Sequence, residues 1–276
     1  MKVDVAVIPC AGAGTRMLPA TRVIPKPMIA VVDRPIIQYV VEEAAACGVT
    51  EVVLVVDERS GNPVLSHFTD GGPIEGLEGI SVTAVTQDHP RGLGDAVLRA
   101  ADVVGSRPFM CLLSDNMFPN PVDAFTASLV ASFDGRAVLA VREIEGELFD
   151  RYGVVEVGSR EGESLVTVTG AVEKPGREQA PSSLGLIGRY VFPPEIFDAL
   201  DGLVAGYGGE IQLTDAIDRL ARDAGALGQI VDDSLLDVGI PFGLAQATTA
   251  VCLSRPDLAV RYREYLERIL GSTASA

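Results

Sequence analysis

The sequence has 276 residues, of which 47% are hydrophobic and 22% charged, and its formal net charge at pH 7 is −16. Such an acidic chain is a poor match for a nucleic-acid backbone or an anionic membrane surface, because both require a basic face on the protein. No apolar run approaches the roughly 20 residues that a membrane-spanning helix needs, so we expect no nucleic acid and no membrane among its partners.

The first half of the chain alternates between predicted strands and predicted helices. Residues 3–9 are a short, apolar, β-branched run that predicts a buried strand. Further strands are predicted at residues 51–56, 80–86 and 109–113, the last of them also apolar. Helices are predicted between them, at residues 35–48, 62–68 and 95–103. Prolines at positions 19, 25 and 27 forbid a regular helix in the segment after the first strand. The alternation indicates an α/β fold with a Rossmann-like, mostly parallel sheet and helices on both of its faces.

The second half is richer in strands. Strands are predicted at residues 137–141, 154–157, 165–172 and 184–191, and helices return at residues 211–222, 242–251 and 257–270. No Ser/Gly-rich linker, low-complexity tract or repeat separates the two halves. We therefore predict a single domain over residues 1–276, in which a mostly parallel half (about residues 1–135) is extended by a mixed-sheet half (about residues 136–276).

The segment after the first predicted strand is rich in glycine and reads Gly12-Ala13-Gly14-Thr15-Arg16. Glycines let the backbone come close to a ligand, and successive N–H groups in such a turn form a nest for an anion. Arg16 can fork onto phosphate oxygens, and Lys26 offers a compact point charge. This segment is therefore a candidate phosphate site.

A dinucleotide-binding loop would occupy the same place, which makes a nicotinamide oxidoreductase the rival interpretation. Its pattern is G-x-G-x-x-G with a carboxylate about 20 residues further on, and Asp33 stands near that distance. However, Met17 replaces the third glycine, and prolines occupy the place of the phosphate-binding helix. The oxidoreductase interpretation is accordingly the weaker one.

Lysine is scarce in this chain. It occurs only at Lys2, Lys26 and Lys174, so that 19 of the 22 basic residues are arginine. Lys26 and Lys174 both stand in interior, proline-punctuated motifs. The alternative is chance placement on the surface, but we interpret both positions as a need for a small ammonium group that can approach a ligand closely.

The chain offers carboxylates for a metal rather than nitrogen or sulfur ligands. Its four cysteines are widely spaced, without a C-x-x-C pair, and it has only two histidines, so a zinc site is not expected. Cysteines of this kind suit the core of a cytoplasmic protein. Asp115 directly follows a predicted apolar strand, where open α/β sheets bind ligands, with helix capping as the alternative. We expect Mg²⁺ as the metal. Other carboxylates, among them Glu42 and Glu43, are interpreted as members of solvated faces.

Residues 8–26, from Ile8-Pro9-Cys10-Ala11 through Ile24-Pro25-Lys26, resemble the bacterial UTP–glucose-1-phosphate uridylyltransferases, and the glucose-1-phosphate thymidylyltransferases share the G-x-G-T-R core. The resemblance recurs along almost the whole chain, at Gly92-Leu93-Gly94-Asp95-Ala96-Val97, Leu113-Ser114-Asp115-Asn116, Tyr152-Gly153-Val154-Val155, Val172-Glu173-Lys174-Pro175, Ile187-Gly188-Arg189-Tyr190, Gly209-Glu210-Ile211-Gln212-Leu213-Thr214-Asp215 and Leu236-Asp237-Val238-Gly239.

This resemblance implies an enzyme that joins a nucleoside triphosphate to a sugar 1-phosphate and releases pyrophosphate, and we expect it to be a homo-oligomer. It implies a nucleotide site in the first half, made of Ala11, Gly12, Gly14, Thr15, Arg16, Gln87, Gly92 and Asp115. It implies a sugar-phosphate site in the second half, made of Gly153, Glu173 and Lys174. Mg²⁺ would be held by Asp115 and Asp237. The catalytic cations would be Arg16 on the leaving phosphates, Lys26 on the α-phosphate and Lys174 on the sugar phosphate.

The missing Ser–His or Cys–His pair agrees with such chemistry, because the sugar phosphate is itself the nucleophile. Departures from the uridylyl enzymes keep the substrates open: Pro27 stands at a usually acidic position, Ala30 replaces a usual proline, and the segment between residues 68 and 82 is shorter. UTP and glucose 1-phosphate are favoured, and the alternative is thymidylyl or other nucleotidyl transfer to a different sugar or cyclitol phosphate. The remaining alternative is a non-catalytic homologue that binds a nucleotide sugar.

Overall fold

A nine-stranded sheet forms the centre of the computed structural model, which describes residues 2–12, 14–58, 61–70, 72–120, 125–231 and 235–273. The strands are β1 (Val5–Pro9), β2 (Ala30–Val31), β3 (Arg34–Pro35), β4 (Glu51–Val56), β5 (Ser81–Thr86), β6 (Phe109–Leu112), β7 (Asn116–Met117), β8 (Ala137–Glu143), β9 (Gly153–Arg160), β10 (Leu165–Glu173), β11 (Leu184–Phe192), β12 (Ala226–Ile230) and β13 (Leu236–Asp237). The helices are α1 (Ile36–Ala46), α2 (Gly61–Thr69), α3 (Leu93–Leu98), α4 (Ala101–Val104), α5 (Thr126–Ala131), α6 (Gly176–Gln179), α7 (Glu195–Leu200), α8 (Leu213–Ala224), α9 (Pro241–Ser254) and α10 (Ala259–Thr273).

The strand order in the central sheet is β5-β4-β1-β6-β11-β8-β12-β10-β9. The first four strands are parallel to one another. Beyond them, β11 runs antiparallel to both β6 and β8, β12 is parallel to β8, and β10 is antiparallel to β12 and β9. A parallel half extended by a mixed half is the predicted architecture, and the fold class is confirmed.

Helices cover both faces of the sheet because the buried strands are apolar on both sides. In β1, Val5 and Val7 belong to a core cluster with residues of α3, α7 and α8. The alternate residues Ala6 and Ile8 belong to a second cluster with residues of α1, α2 and α5. Side chains that alternate in direction along a strand produce this division.

The segment between β1 and β2 contains no regular α-helix among its described residues, as the prolines predict. It consists of short 3₁₀ turns at Thr15–Met17, Ala20–Arg22 and Lys26–Met28. Gly14 adopts the left-handed conformation, with φ 61°, and its carbonyl oxygen accepts a 2.8 Å hydrogen bond from the Thr21 hydroxyl. The glycine at this position therefore lets the loop turn back on itself beneath the end of β1.

Several elements were not predicted from the sequence. These are the strands β2, β3, β7, β12 and β13 and the helices α5, α6 and α7. The single helix predicted at residues 95–103 is in fact two short helices, α3 and α4. Within the described residues, no helix combines the length and the apolar character that crossing a membrane would take.

Candidate active site

Two short strands bring the two predicted metal ligands together. β7 and β13 pair antiparallel, with Asn116 opposite Asp237. The backbone N–H of Val238 donates a 2.9 Å hydrogen bond to the carbonyl oxygen of Asp115. Residues that are 122 positions apart in the sequence thus lie side by side at the carboxyl end of β6, the edge where open α/β sheets bind ligands.

Arg16 and Lys26, the two cations of the candidate phosphate site, both contact this carboxylate pair. Lys26 Nζ lies 2.7 Å from Asp115 Oδ2, and an Arg16 Nη atom lies 3.1 Å from the same oxygen. The other Nη of Arg16 lies 3.7 Å from Asp237 Oδ2, so one guanidinium bridges both carboxylates. Burial alone would raise the pKa of Asp115, but the positive charge and hydrogen bond of Lys26, together with Arg16, lower that pKa below its ordinary value.

Arg151 is a site residue that the sequence analysis missed. One of its Nη atoms lies 2.8 Å from Asp237 Oδ2. It directly precedes the Tyr152-Gly153 motif. That position was the available signal, because a cation next to a motif that lines a ligand site is a candidate for the ligand's phosphate.

The site also needs space that only glycine gives. A Cβ atom built on Gly239 would lie 2.6 Å from Lys26 Nζ and 2.9 Å from Asp237 Oδ1. The N–H of Gly239 donates to that same oxygen of Asp237, at 2.9 Å. Gly239 therefore holds the carboxylate through its backbone while leaving room for the ammonium group.

Two adjoining cavities meet at these charges. The first has a volume of about 260 Å³ and is lined by the glycine-rich segment, including Ala11, Gly12, Gly14, Thr15, Arg16 and Lys26. The second has a volume of about 410 Å³ and is lined by residues of the mixed half, including Arg151, Gly153, Glu173, Lys174, Thr214 and Asp237. Both are lined by Arg16, Leu93, Leu113 and Asp115. They form one cleft with the charged cluster at its middle.

The far end of the second cavity contains the other interior lysine. Lys174 Nζ lies 2.7 Å from Glu173 Oε1 and 5.1 Å from the centre of the Tyr207 ring. The hydroxyl of Thr214 donates to the other carboxylate oxygen, Glu173 Oε2, at 2.5 Å. Lys174 has φ 44°, a left-handed conformation that is uncommon for a residue other than glycine and that is concentrated at functional sites.

Gln87 and Gly92, two residues of the predicted nucleotide site, contact each other. Gln87 Nε2 donates hydrogen bonds to the carbonyl oxygen of Gly92, at 3.0 Å, and to Asp95 Oδ2, at 2.8 Å. The lining of the two cavities, as far as the chain is described, does not include Gln87 or Gly92, although the next residue, Leu93, lines both. The structure therefore brings these two residues together, separately from the charged cluster.

The donor set of the carboxylate pair fits a hard divalent cation. Asp115 and Asp237 present oxygen atoms to one shared guanidinium, a geometry in which a single cation can meet both. Within the described ranges, no cluster of three or more His, Cys, Asp or Glu side chains has metal-binding geometry. Mg²⁺ is commonly bound by one or two carboxylates together with substrate phosphates and water. Asp115 lines both cavities, and Asp237 lines the second.

Comparison with known proteins places this geometry in a family. The sequence model of the nucleotidyl transferase family matches residues 5–253. UTP–glucose-1-phosphate uridylyltransferase 1 of Streptococcus pyogenes serotype M3 is 35% identical over 289 residues, which cover 97% of this chain and 95% of that protein. UTP–glucose-1-phosphate uridylyltransferase 2 of the same organism is 36% identical over 286 residues, covering 96% and 95%.

Solved structures give the same result. A UDP-glucose pyrophosphorylase complexed with UDP-glucose has a TM-score of 0.84 and 30% sequence identity, covering 92% of this chain and 100% of that one. A UTP-bound UDP-glucose pyrophosphorylase from Acinetobacter baumannii has a TM-score of 0.82 and 32% identity, covering 96% and 99%. The motifs, the fold and both comparisons agree, and the chain belongs to the nucleotidyl transferase family.

Proposed function

We propose that this enzyme transfers a uridylyl group from UTP to glucose 1-phosphate, forming UDP-glucose and pyrophosphate. The observation that carries the proposal is the cleft itself. A phosphate-type cavity with Arg16 and Lys26 meets a polar cavity with Glu173 and Lys174, and Asp115 lies at their junction. The relatives and solved structures named for UTP, UDP-glucose and glucose 1-phosphate support these substrates for a chain that they cover almost completely.

The reaction is a direct displacement. A phosphate oxygen of glucose 1-phosphate attacks the α-phosphorus of UTP, and a new P–O bond forms. The bond from the α-phosphorus to the oxygen that bridges to the β-phosphorus breaks, and pyrophosphate leaves with that electron pair. The protein's part is to align the two substrates and to stabilise the changing charge, so no covalent intermediate on a side chain is required.

Arg16 and Lys26 are assigned to the triphosphate. Arg16 is the more exposed of the two and can fork onto the β- and γ-phosphates. Lys26 is held against Asp115 at 2.7 Å, and we assign it to the α-phosphate, where charge shifts during the transfer. The backbone at Gly14 and Thr15 completes the phosphate nest. Ala11 and Gly12 are assigned to the base, because their N–H groups already donate to Val55 and Asp57.

Glu173, Lys174 and the backbone of Gly153 are assigned to glucose 1-phosphate. Glu173 accepts from Thr214 and from Lys174, which fixes its carboxylate for sugar hydroxyls. A Cβ atom on Gly153 would lie 2.7 Å from the Thr214 hydroxyl oxygen, so only glycine lets this strand approach α8. Lys174, with Arg151 nearby in the same cavity, is suited to the sugar phosphate.

Gln87 and Gly92 are assigned to the base. Because Gln87 Nε2 already donates to Gly92 and Asp95, the side chain can offer a base only its Oε1 acceptor. Uracil and thymine have an N3–H donor, whereas cytosine has an acceptor at N3. The N4 amino group of cytosine is, however, also a donor, so Gln87 selects only for a base with a donor at this edge, and the choice of uracil rests on the relatives named for UTP.

Mg²⁺ would be held by Asp115 and Asp237, and when bound it supplies positive charge to the phosphate oxygens.

We place the enzyme in the cytoplasm, since its four cysteines are unpaired and three of them are buried, as suits a reducing compartment. A homo-oligomer remains part of the proposal.

The test is a substrate matrix read by pyrophosphate release. UTP, dTTP, CTP, ATP and GTP are each combined with the 1-phosphates of glucose, galactose, mannose and N-acetylglucosamine, and with a cyclitol phosphate. We expect the highest kcat/KM for UTP with glucose 1-phosphate, loss of turnover with a chelator, and recovery with Mg²⁺. Preference for dTTP or another sugar would change the substrate assignment. Absence of pyrophosphate release from every pair would leave the non-catalytic homologue as the better interpretation.

A further inference from the structure

Arg189 has the largest fully buried side chain in the described part of the chain, and none of the steps above uses it. It belongs to the Ile187-Gly188-Arg189-Tyr190 motif in β11 and lies opposite Leu112, the last residue of β6. The register of β11 against β8 shifts between Leu186 and Tyr190, so the strand is irregular at this point. A buried guanidinium at such a place needs a set of partners.

The partners of Arg189 lie on two sides. On one side its Nε and Nη2 atoms donate to the two carboxylate oxygens of Glu43, at 2.7 and 2.8 Å. On the other side Nη1 donates to the carbonyl oxygen of Leu113, at 3.1 Å, and Nη2 donates to that of Asn116, at 2.7 Å. Nη1 also donates to the carbonyl oxygen of Gly188, at 3.0 Å.

Leu113 and Asn116 are the two ends of the four-residue loop that carries Asp115. The guanidinium therefore binds both ends of this loop while it is itself fully buried and outside the lining of the cleft. Glu43, on α1, is itself fixed by a 2.5 Å hydrogen bond from the hydroxyl of Thr126 on α5. The loop is thus tied through Arg189 to two helices outside the cleft.

We propose that Arg189 is a positioning residue for nucleotidyl transfer: it sets the loop that holds Asp115 against Lys26 and Asp237. The inference rests on the proposed function for its chemical meaning. A buried ion pair adds no more net stability than a well-packed apolar pair of similar volume. An apolar pair could not align the two loop carbonyl groups, because that alignment requires the planar set of N–H donors of a guanidinium.

The test compares Arg189→Lys with the parent enzyme. Lysine keeps a positive charge next to Glu43 but loses the fork, so we expect kcat to fall about 10–100-fold, the usual effect of losing a group that orients a metal ligand. The Mg²⁺ concentration for half-maximal activity rises, while KM for glucose 1-phosphate changes far less. Hydrogen exchange of a peptide spanning residues 112–118 becomes faster, and exchange of a peptide spanning residues 51–56 stays as in the parent.

Ile196→Ala is the matched control, because Ile196 is fully buried in α7, which packs on α3 and α8, and it lines neither cavity. It loses stability without contact to the loop, so its kcat and Mg²⁺ requirement should stay near those of the parent below its unfolding temperature. Equal losses in both variants would make Arg189 merely structural and would overturn the inference. A folded Arg189→Lys variant with parental kcat, Mg²⁺ requirement and loop exchange would overturn it too.

Glu43→Gln covers the case in which Arg189→Lys does not fold. It keeps the fork but removes the anion that fixes it, and we expect smaller changes in the same direction, with parental values counting against the inference. If the parent enzyme releases no pyrophosphate from any substrate pair, the proposed function fails on its own. The exchange of the loop peptide then decides whether Arg189 positions the loop.

Discussion

Asp115 and Asp237 are both paired with cations: Lys26 and Arg16 contact Asp115, and Arg16 and Arg151 contact Asp237. Such a cluster favours the ionised form of Asp115, since the nearby positive charges lower its pKa. Two carboxylates in this cleft are suited to binding a divalent cation together with a triphosphate.

We expect Asp115→Asn and Asp237→Asn each to abolish Mg²⁺-dependent turnover, because an amide cannot replace the charge of a carboxylate ligand. Pyrophosphate release at saturating Mg²⁺ measures the effect, and circular dichroism checks the fold. Asp198→Asn is the matched control, since Asp198 is exposed on α7 and lines neither cavity. Near-parental turnover in both site variants would show that these carboxylates do not hold the metal.

Removing Lys26 and removing Lys174 should have different effects on kcat and KM. Losing a preorganised charge partner of the transition state costs roughly 10²–10³ in rate, so Lys26→Ala is expected to lower kcat, with smaller changes in KM. Lys174→Ala should in addition raise KM for glucose 1-phosphate much more than KM for UTP, because Lys174 lies in the second cavity. Steady-state kinetics with each substrate varied in turn measures both.

Lys2→Ala is the control for this pair, since Lys2 is exposed and pairs only weakly, at 3.4 Å, with Asp4. Arginine should not rescue either site well, because its guanidinium is larger and its charge more diffuse. A Lys174→Arg variant as active as the parent would refute the argument from the scarcity of lysine. A Lys174→Ala variant that weakens only UTP binding would refute its place on the sugar side.

At the scale of elements, α3 packs so closely on the chain before α8 that one glycine has no substitute. Gly92 has φ 113°, and a Cβ atom there would lie 2.5 Å from the carbonyl oxygen of Ile211 and 2.8 Å from its nitrogen. The same carbonyl oxygen accepts a 2.8 Å hydrogen bond from the N–H of Gly94. The contact joins the base side of the cleft to α8, which carries Thr214.

Gly92→Ala should therefore destabilise the protein more than strain at a positive φ alone would. Gly162 is the matched control, because its φ is 116° and a Cβ atom there would meet nothing within 4 Å. Strain costs both variants of order 1–3 kcal/mol. Overpacking should cost Gly92→Ala about 1–3 kcal/mol more, measured as the free energy of unfolding in urea. Equal losses of unfolding free energy in the two variants would mean that the close contact with Ile211 does not destabilise Gly92→Ala.

The elements that the sequence predicted are those with a strong local pattern. The parallel strands β1, β4 and β6 are largely apolar runs, and α1 has proline before its first residue and glycine soon after its last. β12 escaped prediction because Ala226-Leu227-Gly228-Gln229-Ile230 has little intrinsic strand preference. Its conformation comes from pairing with β8 and β10 on both sides, a contact that no local pattern encodes.

Glu43 shows the same limit for side chains. It was interpreted as part of a solvated face, next to Glu42 in α1, and that interpretation is wrong: Glu43 is 1% exposed and paired with Arg189. The two residues are 146 positions apart, so the sequence alone does not reveal the pair. The predicted cations and carboxylates of the cleft were found because they stand in motifs. Arg151, also in the cleft, and Glu43 stand outside these motifs and were not found.

At the scale of the whole molecule, the central sheet crosses the boundary between the predicted halves. β11, from the mixed half, pairs with β6 of the parallel half on one side and with β8 on the other. The cleft is likewise lined by both halves. We propose on this basis that residues 1–276 behave as one folding unit, as the sequence analysis expects.

Unfolding should then be a single cooperative transition. We expect circular dichroism and hydrogen exchange of peptides from β4 and from β10 to report the same urea midpoint, because β11 pairs with strands of both halves. UTP at about 100 times its Kd should raise the free energy of unfolding by about 2.7 kcal/mol. Peptides of both halves should shift together, although UTP is assigned mainly to the first half, and CTP at the same concentration should shift them less. Separate midpoints for the two halves, or a shift confined to peptides before residue 136, would show that they unfold as separate domains.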